Sequence, residues 1–322
     1  MREDGEAIRV LRSSSTWLMR DGRPADHNRR SPVRWTETSG LSRGTLPMRE
    51  NEWGQNRLPF HGADTPFETR SFEEAVARLM FLSERGWPAG WLFGPSGCGK
   101  TAVLRTVRNE LRRAGAEAVI GSLCGIDGDE FWPSIATALG ARDVDYGPAA
   151  RKTVRALLVA SSMIDRPVTF LLDDVDRGGV GLWDQVAAFV RMAEGVTPNH
   201  TVVIATACEI TVGDLARRID LRADLRPFSA EDTAAFVASR LEQAGSKVAF
   251  TPEASTELFA ATAGVPAAVG RFADLSLVAA QAANVNVVDV DFVRSAVAEL
   301  RPTDDEPLVS LATAPLPARF TA

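Results

Sequence analysis

The chain has 322 residues, 45% of them apolar and 24% charged, with a formal net charge of −6. These values are ordinary for a folded globular protein, and the charge gives no overall reason to expect nucleic acid or acidic lipid as a partner. No apolar run is long enough to span a bilayer. The N-terminus lacks a signal-peptide core, so a reducing, cytoplasmic setting is expected. The scattered cysteines (Cys98, Cys124, Cys208) and histidines (His27, His61, His200) form neither a disulfide framework nor a metal-ligand spacing.

Residues 1–47 are rich in Arg, Ser, Gly and Asp without a sustained period, and are expected to be a disordered tail. Acidic residues mixed through it argue against a basic nucleic-acid arm. Met48 follows directly and stands as a second candidate start. From residue 70 the pattern becomes regular. "FEEAVARLMFLSERG" places Phe72, Val76, Leu79 and Met80 on one helical face. "GWLF" (90–93) reads as a short apolar strand. After a glycine-rich loop, Val103, Leu104, Val107 and Leu111 mark a helix that Gly115 stops. "EAVIGSL" (117–123) reads as a strand, and "DEFWPSIATALG" as a helix with Pro133 in its first turn. Residues 149–163 read as helix, "VTFLLDDVD" (168–176) as an apolar strand ending in carboxylates, "LWDQVAAFVRMAEG" as helix, and "TVVIATA" (201–207) as a buried strand. Strands alternating with helices imply an α/β unit with parallel pairing and right-handed crossovers. After "LRADLRPFS" the strands are expected to stop. Only helices are read beyond it, at 229–244, 252–263, 265–282 and 289–300, and residues 301–322, with several prolines, are expected to be a flexible tail.

Four places carry chemistry. The first is "FGPSGCGKTAVLRTV" (93–107), which has Gly94, four residues, then Gly99-Lys100-Thr101 between a strand and a helix. This is the phosphate-binding loop pattern. Small residues from Gly94 through Pro95, Ser96, Gly97, Cys98 and Gly99 let successive backbone N–H groups turn onto phosphate oxygens. The helix dipole points at the same place. Lys100 is placed to reach the β- and γ-phosphates, and Thr101 to put its hydroxyl on Mg2+. The strand-to-helix context argues against a chance glycine turn.

The second place is the end of the 168–176 strand. Ligands of open α/β sheets bind at that edge. Asp173 is the candidate for the metal, and Asp174 for orienting or deprotonating the attacking water. The competing reading is a solvated turn of three acids that includes Asp176. The third is Thr206, which could hydrogen-bond the γ-phosphate or the attacking water, or simply cap a turn. The fourth is "DLARRIDLRADLRPF", whose arginines at 217, 218, 222 and 226 could stabilise phosphoryl-transfer charge from a neighbouring subunit. Salt bridges to Asp214, Asp220 and Asp224 on a solvated face are the plainer reading of any one of them.

Taken in order, these features resemble the AAA+ ATPases of the ExeA or general-secretion-pathway A type, which are related to the ATPase subunits of transposition systems. The resemblance runs over about residues 57–300, from "RLPFHGADTPFETRSFEEAVARL" through "LARRIDLRADLRPFSAEDTAAFVASRL" to "AGVPAAVGRFADLSLVAA". It implies a nucleotide-binding core at 48–228 with sheet order 5-1-4-3-2, and an all-helical lid at 229–300. It also implies ATP as the nucleotide, and a homo-oligomer with sites at subunit interfaces. Gly94 to Thr101 match the Walker A loop, Asp173 and Asp174 match Walker B, Thr206 matches sensor 1, and Arg218 or Arg222 falls where a finger arginine could lie.

Three departures matter. The usual Walker B glutamate is Asp174, one methylene shorter. The lid motif, commonly Gly-x-Pro-Arg, reads Gly264-Val265-Pro266-Ala267, so the sensor 2 arginine is missing and Arg271, one turn later, is no more than a candidate substitute. The membrane and peptidoglycan-binding parts of the secretion proteins are not found, so no cell-wall role is carried over. The expected function is ATP hydrolysis that drives assembly or remodelling of a protein client. Alternatives are an ATP-dependent DNA-binding adaptor, which the net charge disfavours, and a nucleotide switch with little hydrolysis.

Overall fold

The computed structural model describes residues 58–60, 65–142, 144–196, 200–210 and 212–300. The expected tails at 1–47 and 301–322, together with His27, Met48 and His61, lie outside them. The chain divides into two compact units. One comprises Glu74–Phe93 and Thr101–Asp224; the other takes Gly94–Lys100, the described residues before Glu74 and those from Leu225 on.

The first unit is a helix-covered parallel sheet. Its elements are α1 (Arg70–Glu84, whose first four residues count with the second unit), β1 (Ala89–Phe93), α2 (Lys100–Arg113), β2 (Glu117–Ser122), α3 (Gly128–Ala138), α4 (Pro148–Met163), β3 (Val168–Asp173), α5 (Leu182–Val196), β4 (Thr201–Thr206), the single turn α6 (Gly213–Ala216) and β5 (Leu221–Asp224). The strand order is β2-β3-β4-β1-β5, all pairs parallel. Read from the other edge this is the expected 5-1-4-3-2. Every residue of β3 and β4 is buried, as a parallel strand covered on both faces requires.

Alternation along the strands divides the apolar residues between two layers. Phe170, Leu172, Val202 and Ile204 pack with Phe131 and Ile135 of α3, Val154 and Leu158 of α4, and Val186 and Phe189 of α5. Phe189 meets Phe170 edge-on, with ring centroids 4.9 Å apart. On the other face α1 crosses β1 and β3. Leu82 occupies the space beside Gly90 that a Cβ would need, and the Thr169 hydroxyl donates to Ser83 at 3.2 Å.

Three local readings change. Pro133 is not in the first turn, because α3 begins at Gly128 and the Asp127 amide donates to Glu130 at 3.3 Å ahead of it. Pro133 therefore sits inside the helix, where it gives up one backbone bond. The stretch around the four arginines contains a strand, β5, rather than only a basic face. Asp220 fixes its register by accepting the Ala89 amide at 3.1 Å.

In the second unit the helices are α7 (Ala230–Gln243), α8 (Pro252–Thr262), α9 (Pro266–Ala282) and α10 (Val290–Leu300). Their starts follow from the sequence. Ser229 and Asp232 exchange hydrogen bonds as a capping box, each amide bonding the other's side chain at 3.0 Å. Thr251 caps α8 ahead of Pro252. The third changed reading is here: two short strands, β6 (Ala249–Phe250) and β7 (Val287–Val288), pair in parallel within a region read as helices only. The core gathers Phe228, Phe236, Leu258, Val269, Phe272 and Val293, and Phe60 and Phe67 pack against it. Phe67 lies edge-on to both Phe228 and Phe236. The Phe60 amide donates to Asp274 at 3.2 Å, and Arg240 donates to the Thr65 carbonyl. A segment that precedes the sheet in sequence is thus built into the helices that follow it.

Candidate active site

The loop between β1 and α2 has the backbone its residues foretell. A Cβ on Gly94 would lie 2.5 Å from the Leu225 carbonyl oxygen, so no larger residue fits unmoved. Gly97 and Gly99 take φ of +82° and +100°, a region that side-chain-bearing residues rarely adopt. The Cys98 amide donates to the Pro95 carbonyl at 3.2 Å, which tightens the turn. Lys100 is almost fully buried, and its Nζ donates to the Gly94 and Pro95 carbonyls at 2.8 and 3.3 Å. An ammonium has three N–H donors, so two of them already hold the loop's own shape. Burial pushes the Cys98 thiol up to about 11, against the pull of Lys100, which makes it a packing residue rather than a nucleophile. Ser96 is half-buried.

At the end of β3 the two aspartates have different surroundings. Asp173 is buried, and its Oδ2 accepts the Thr101 hydroxyl at 2.5 Å. The two candidate metal-binding side chains, 72 residues apart in sequence, are therefore in direct contact. Asp174 has φ 52° and ψ 38°, a left-handed conformation that Asp tolerates better than most residues. It accepts a hydrogen bond from Ser122 at 3.4 Å and faces Arg177 at 4.0 Å. Asp176 accepts the Ala207 amide at 2.9 Å and so braces the end of β4.

Thr206 is fully buried. Its hydroxyl accepts the Trp91 indole N–H at 2.8 Å and donates to the Cys208 carbonyl at 2.7 Å. The two arginines are each engaged inside the chain. Arg218 pairs with Glu194 and Asp214. Arg222, on β5, pairs with Asp224 at 2.7 Å and Glu209 at 3.3 Å, and its guanidinium lies over the Trp91 and Phe93 rings at 4.3 and 4.6 Å from their centroids. The plainer salt-bridge reading thus describes both where they stand. At the lid position, the Ala267 amide donates to the Gly97 carbonyl at 3.1 Å, and Arg271 is exposed on α9.

Sequence reasoning missed Ser122 and Trp91. The signal for Ser122 was its place as the last residue of a strand in register with Asp173. For Trp91 it was an indole N–H inside a buried strand, a donor that needs a partner. Among the described residues no cluster of His, Cys, Asp and Glu could hold a metal ion by itself, and no helix is long and apolar enough to cross a membrane.

The sheet order, the loop after β1 and the helices after β5 together make an AAA+ fold. Residues 91–226 match the model of the AAA family, the ATPase family associated with various cellular activities. Solved structures agree at the level of the fold. Cdc6p from Pyrobaculum aerophilum superposes with a TM-score of 0.61 at 16% identity, over 75% of this chain and 70% of that one. The Aeropyrum pernix ORC1 protein, solved in complex with DNA, gives 0.59 at 18%, over 75% and 68%. The Aeropyrum pernix ORC2 protein, with ADPNP and ADP, gives 0.58 at 14%, over 79% and 74%. None of the curated proteins matches the sequence.

Proposed function

We propose that this protein is an ATPase that binds ATP with Mg2+ at residues 94–101 and hydrolyses it to ADP and phosphate to drive assembly or remodelling of a protein partner. The observation that carries this reading is the Thr101–Asp173 contact, which joins the end of the phosphate-binding loop to the acid-ended strand. A hydroxyl and a carboxylate are hard oxygen donors suited to Mg2+, which keeps most of its waters and takes few protein ligands. When bound, the ion neutralises charge on the β- and γ-phosphates. The protein's own residues do the rest. Backbone amides of the loop hold phosphate oxygens, Lys100 adds the charge they need, and Asp174 orients the attacking water. Ser122 and Arg177 hold the Asp174 carboxylate. The ExeA-type likeness of "LRPFSAED" and the lid supports a homo-oligomeric assembly with a protein client.

Titration with a fluorescent ATP analogue tests binding, and phosphate release with and without duplex DNA tests the rest. Lys100→Ala should abolish or severely weaken binding while circular dichroism stays unchanged; equal affinity in a folded variant would remove the phosphate-loop reading. Release that needs duplex DNA would favour the ATP-dependent DNA-binding adaptor, which accords with DNA in the Aeropyrum ORC1 structure. Binding without release would favour the switch.

A further inference from the structure

α4 packs into the core through Ala150, Val154 and Leu158 and leaves its other side to solvent. Lys152, Arg155, Val159 and Met163 follow one another at helical spacing and share that open face. The helix contains no acidic residue. Among the described residues no carboxylate forms an ion pair with Lys152 or Arg155. Val159, Met163 and Ile164, which caps the helix, are 38%, 76% and 42% exposed. Scattered apolar residues on a surface need no explanation, but a contiguous set beside polar groups marks an interaction site. This face offers two cations first and three apolar side chains after them.

The chain itself contains a complement. Residues 303–311 read "TDDEPLVSL": Asp304, Asp305 and Glu306 come first, Leu308, Val309 and Leu311 follow, and no cation lies among them. Residues 2–12, "REDGEAIRVLR", also mix acids with apolar letters, but three arginines cancel the three acids. Order and spacing agree as well. Lys152 to Met163 spans about 16 Å along a helix, and Glu306 to Leu311 spans about 16 Å in an extended chain. We propose that residues 303–311 of a second copy lie along this face, with their carboxylates on Lys152 and Arg155 and their apolar side chains on Val159, Met163 and Ile164. α10 ends at Leu300, and an extended chain from there to residue 311 reaches about 36 Å, more than the roughly 30 Å diameter of a small domain. The contact is heterologous, with the segment of one subunit meeting α4 of the next. Each added subunit brings both halves, so repetition closes a ring or runs into a filament rather than stopping at a two-fold dimer.

This inference rests on the homo-oligomer reading, and the test separates the two. Light scattering after gel filtration measures association of the full chain with ATP present. Fluorescence anisotropy measures binding of a labelled peptide of residues 301–314 to the dilute full chain. The native chain should associate and bind the peptide, less well as salt is added. Lys152→Glu/Arg155→Glu and, separately, Met163→Asp should each weaken peptide binding by about tenfold or more, with circular dichroism unchanged, since all three side chains are exposed. A peptide carrying Asp304→Lys, Asp305→Lys and Glu306→Lys should fail on the native chain and bind the Lys152→Glu/Arg155→Glu chain. The same three substitutions in the full chain should reduce association, and mixing that chain with Lys152→Glu/Arg155→Glu should restore pairing, because each keeps the half the other has lost. They touch none of the described residues, so they decide the matter even if an α4 variant fails to fold. Peptide binding that neither α4 variant changes would overturn the inference, as would equal binding by a peptide of residues 2–12. Native-like association in the chain with the three lysines would overturn it too, and leave the homo-oligomer reading standing. A native chain that stays single while that variant binds the peptide would seat the segment within one copy and overturn the second-copy contact. A native chain that stays single when neither binds removes the homo-oligomer reading as well.

Discussion

Asp174 shows how much one backbone angle decides. Its left-handed φ of 52° would cost most residues about 1 kcal/mol or more, and Asp and Asn bear it best. Asp174→Asn should keep the turn and its acceptor for Ser122 while removing the charge that orients water. Turnover should drop about tenfold or more, with melting temperature and ATP affinity unchanged. Asp174→Glu should regain reach and raise turnover, at a cost in melting temperature from the left-handed backbone. If the rate stays level in both variants while melting shifts, Asp174 is a turn residue only. At this scale the contiguous part of the site was legible from the sequence and the assembled part was not. Gly94 to Thr101 announce themselves in eight successive letters. The link from Trp91 to Thr206 joins residues 115 apart, and no local pattern encodes it. The partners of the Thr206 hydroxyl, Trp91 and the Cys208 carbonyl, come into view only in the fold.

Among the elements, those that are long or mostly apolar could be read directly, because burial on both faces of β3 and β4 leaves the unbroken apolar runs Phe170–Leu172 and Val202–Ala205. The stretches "LRAD" and "AF"/"VV" could not, since four- and two-residue strands carry too few letters for an alternation to stand out. One buried polar link between elements has a measurable consequence. His200, just before β4, accepts the Val168 amide on Nδ1 at 3.2 Å, and its Nε2 faces the Leu158 carbonyl at 3.1 Å and the Ser162 hydroxyl at 2.9 Å. The imidazole ties α4 to the starts of β3 and β4. Burial is the main cause that lowers its pKa below the ordinary 6.5. The unfolded chain therefore takes up this proton more readily than the folded one. The stabilisation is complete above 6.5 and is lost as pH falls below it toward the folded pKa. Protonation would also set an N–H on Nδ1 against the Val168 N–H. The melting temperature should fall as pH drops below 6.5 toward the folded pKa, and His200→Gln should melt lower at neutral pH but lose most of that slope. An equal slope in both proteins would assign the acid sensitivity to other groups.

For the whole molecule the open matter is whether one subunit completes another's site. The lid position that commonly carries an arginine is Ala267, and its amide is already bonded to Gly97. A further cation would then have to come from elsewhere, and a supplied arginine is worth roughly 10³–10⁵ in phosphoryl-transfer rate. Arg218 and Arg222 are not equivalent for this role. Arg218 is held by the carboxylates of Glu194 and Asp214, both partly exposed. Exposed pairs of that kind are worth about 0–1 kcal/mol, so a phosphate can draw the guanidinium away. Arg222 has two carboxylate partners and two aromatic faces, and leaving them would also unsettle Trp91. Arg218 is therefore the arginine expected to act in trans. Specific activity should rise with protein concentration if a neighbouring subunit completes the site. Arg218→Ala should lower turnover and spare ATP affinity, and mixing it with Lys100→Ala protein should restore part of the activity. Turnover per subunit that stays flat across a wide dilution series, with Arg218→Ala fully active, would return Arg218 to the surface ion pairs in which it stands.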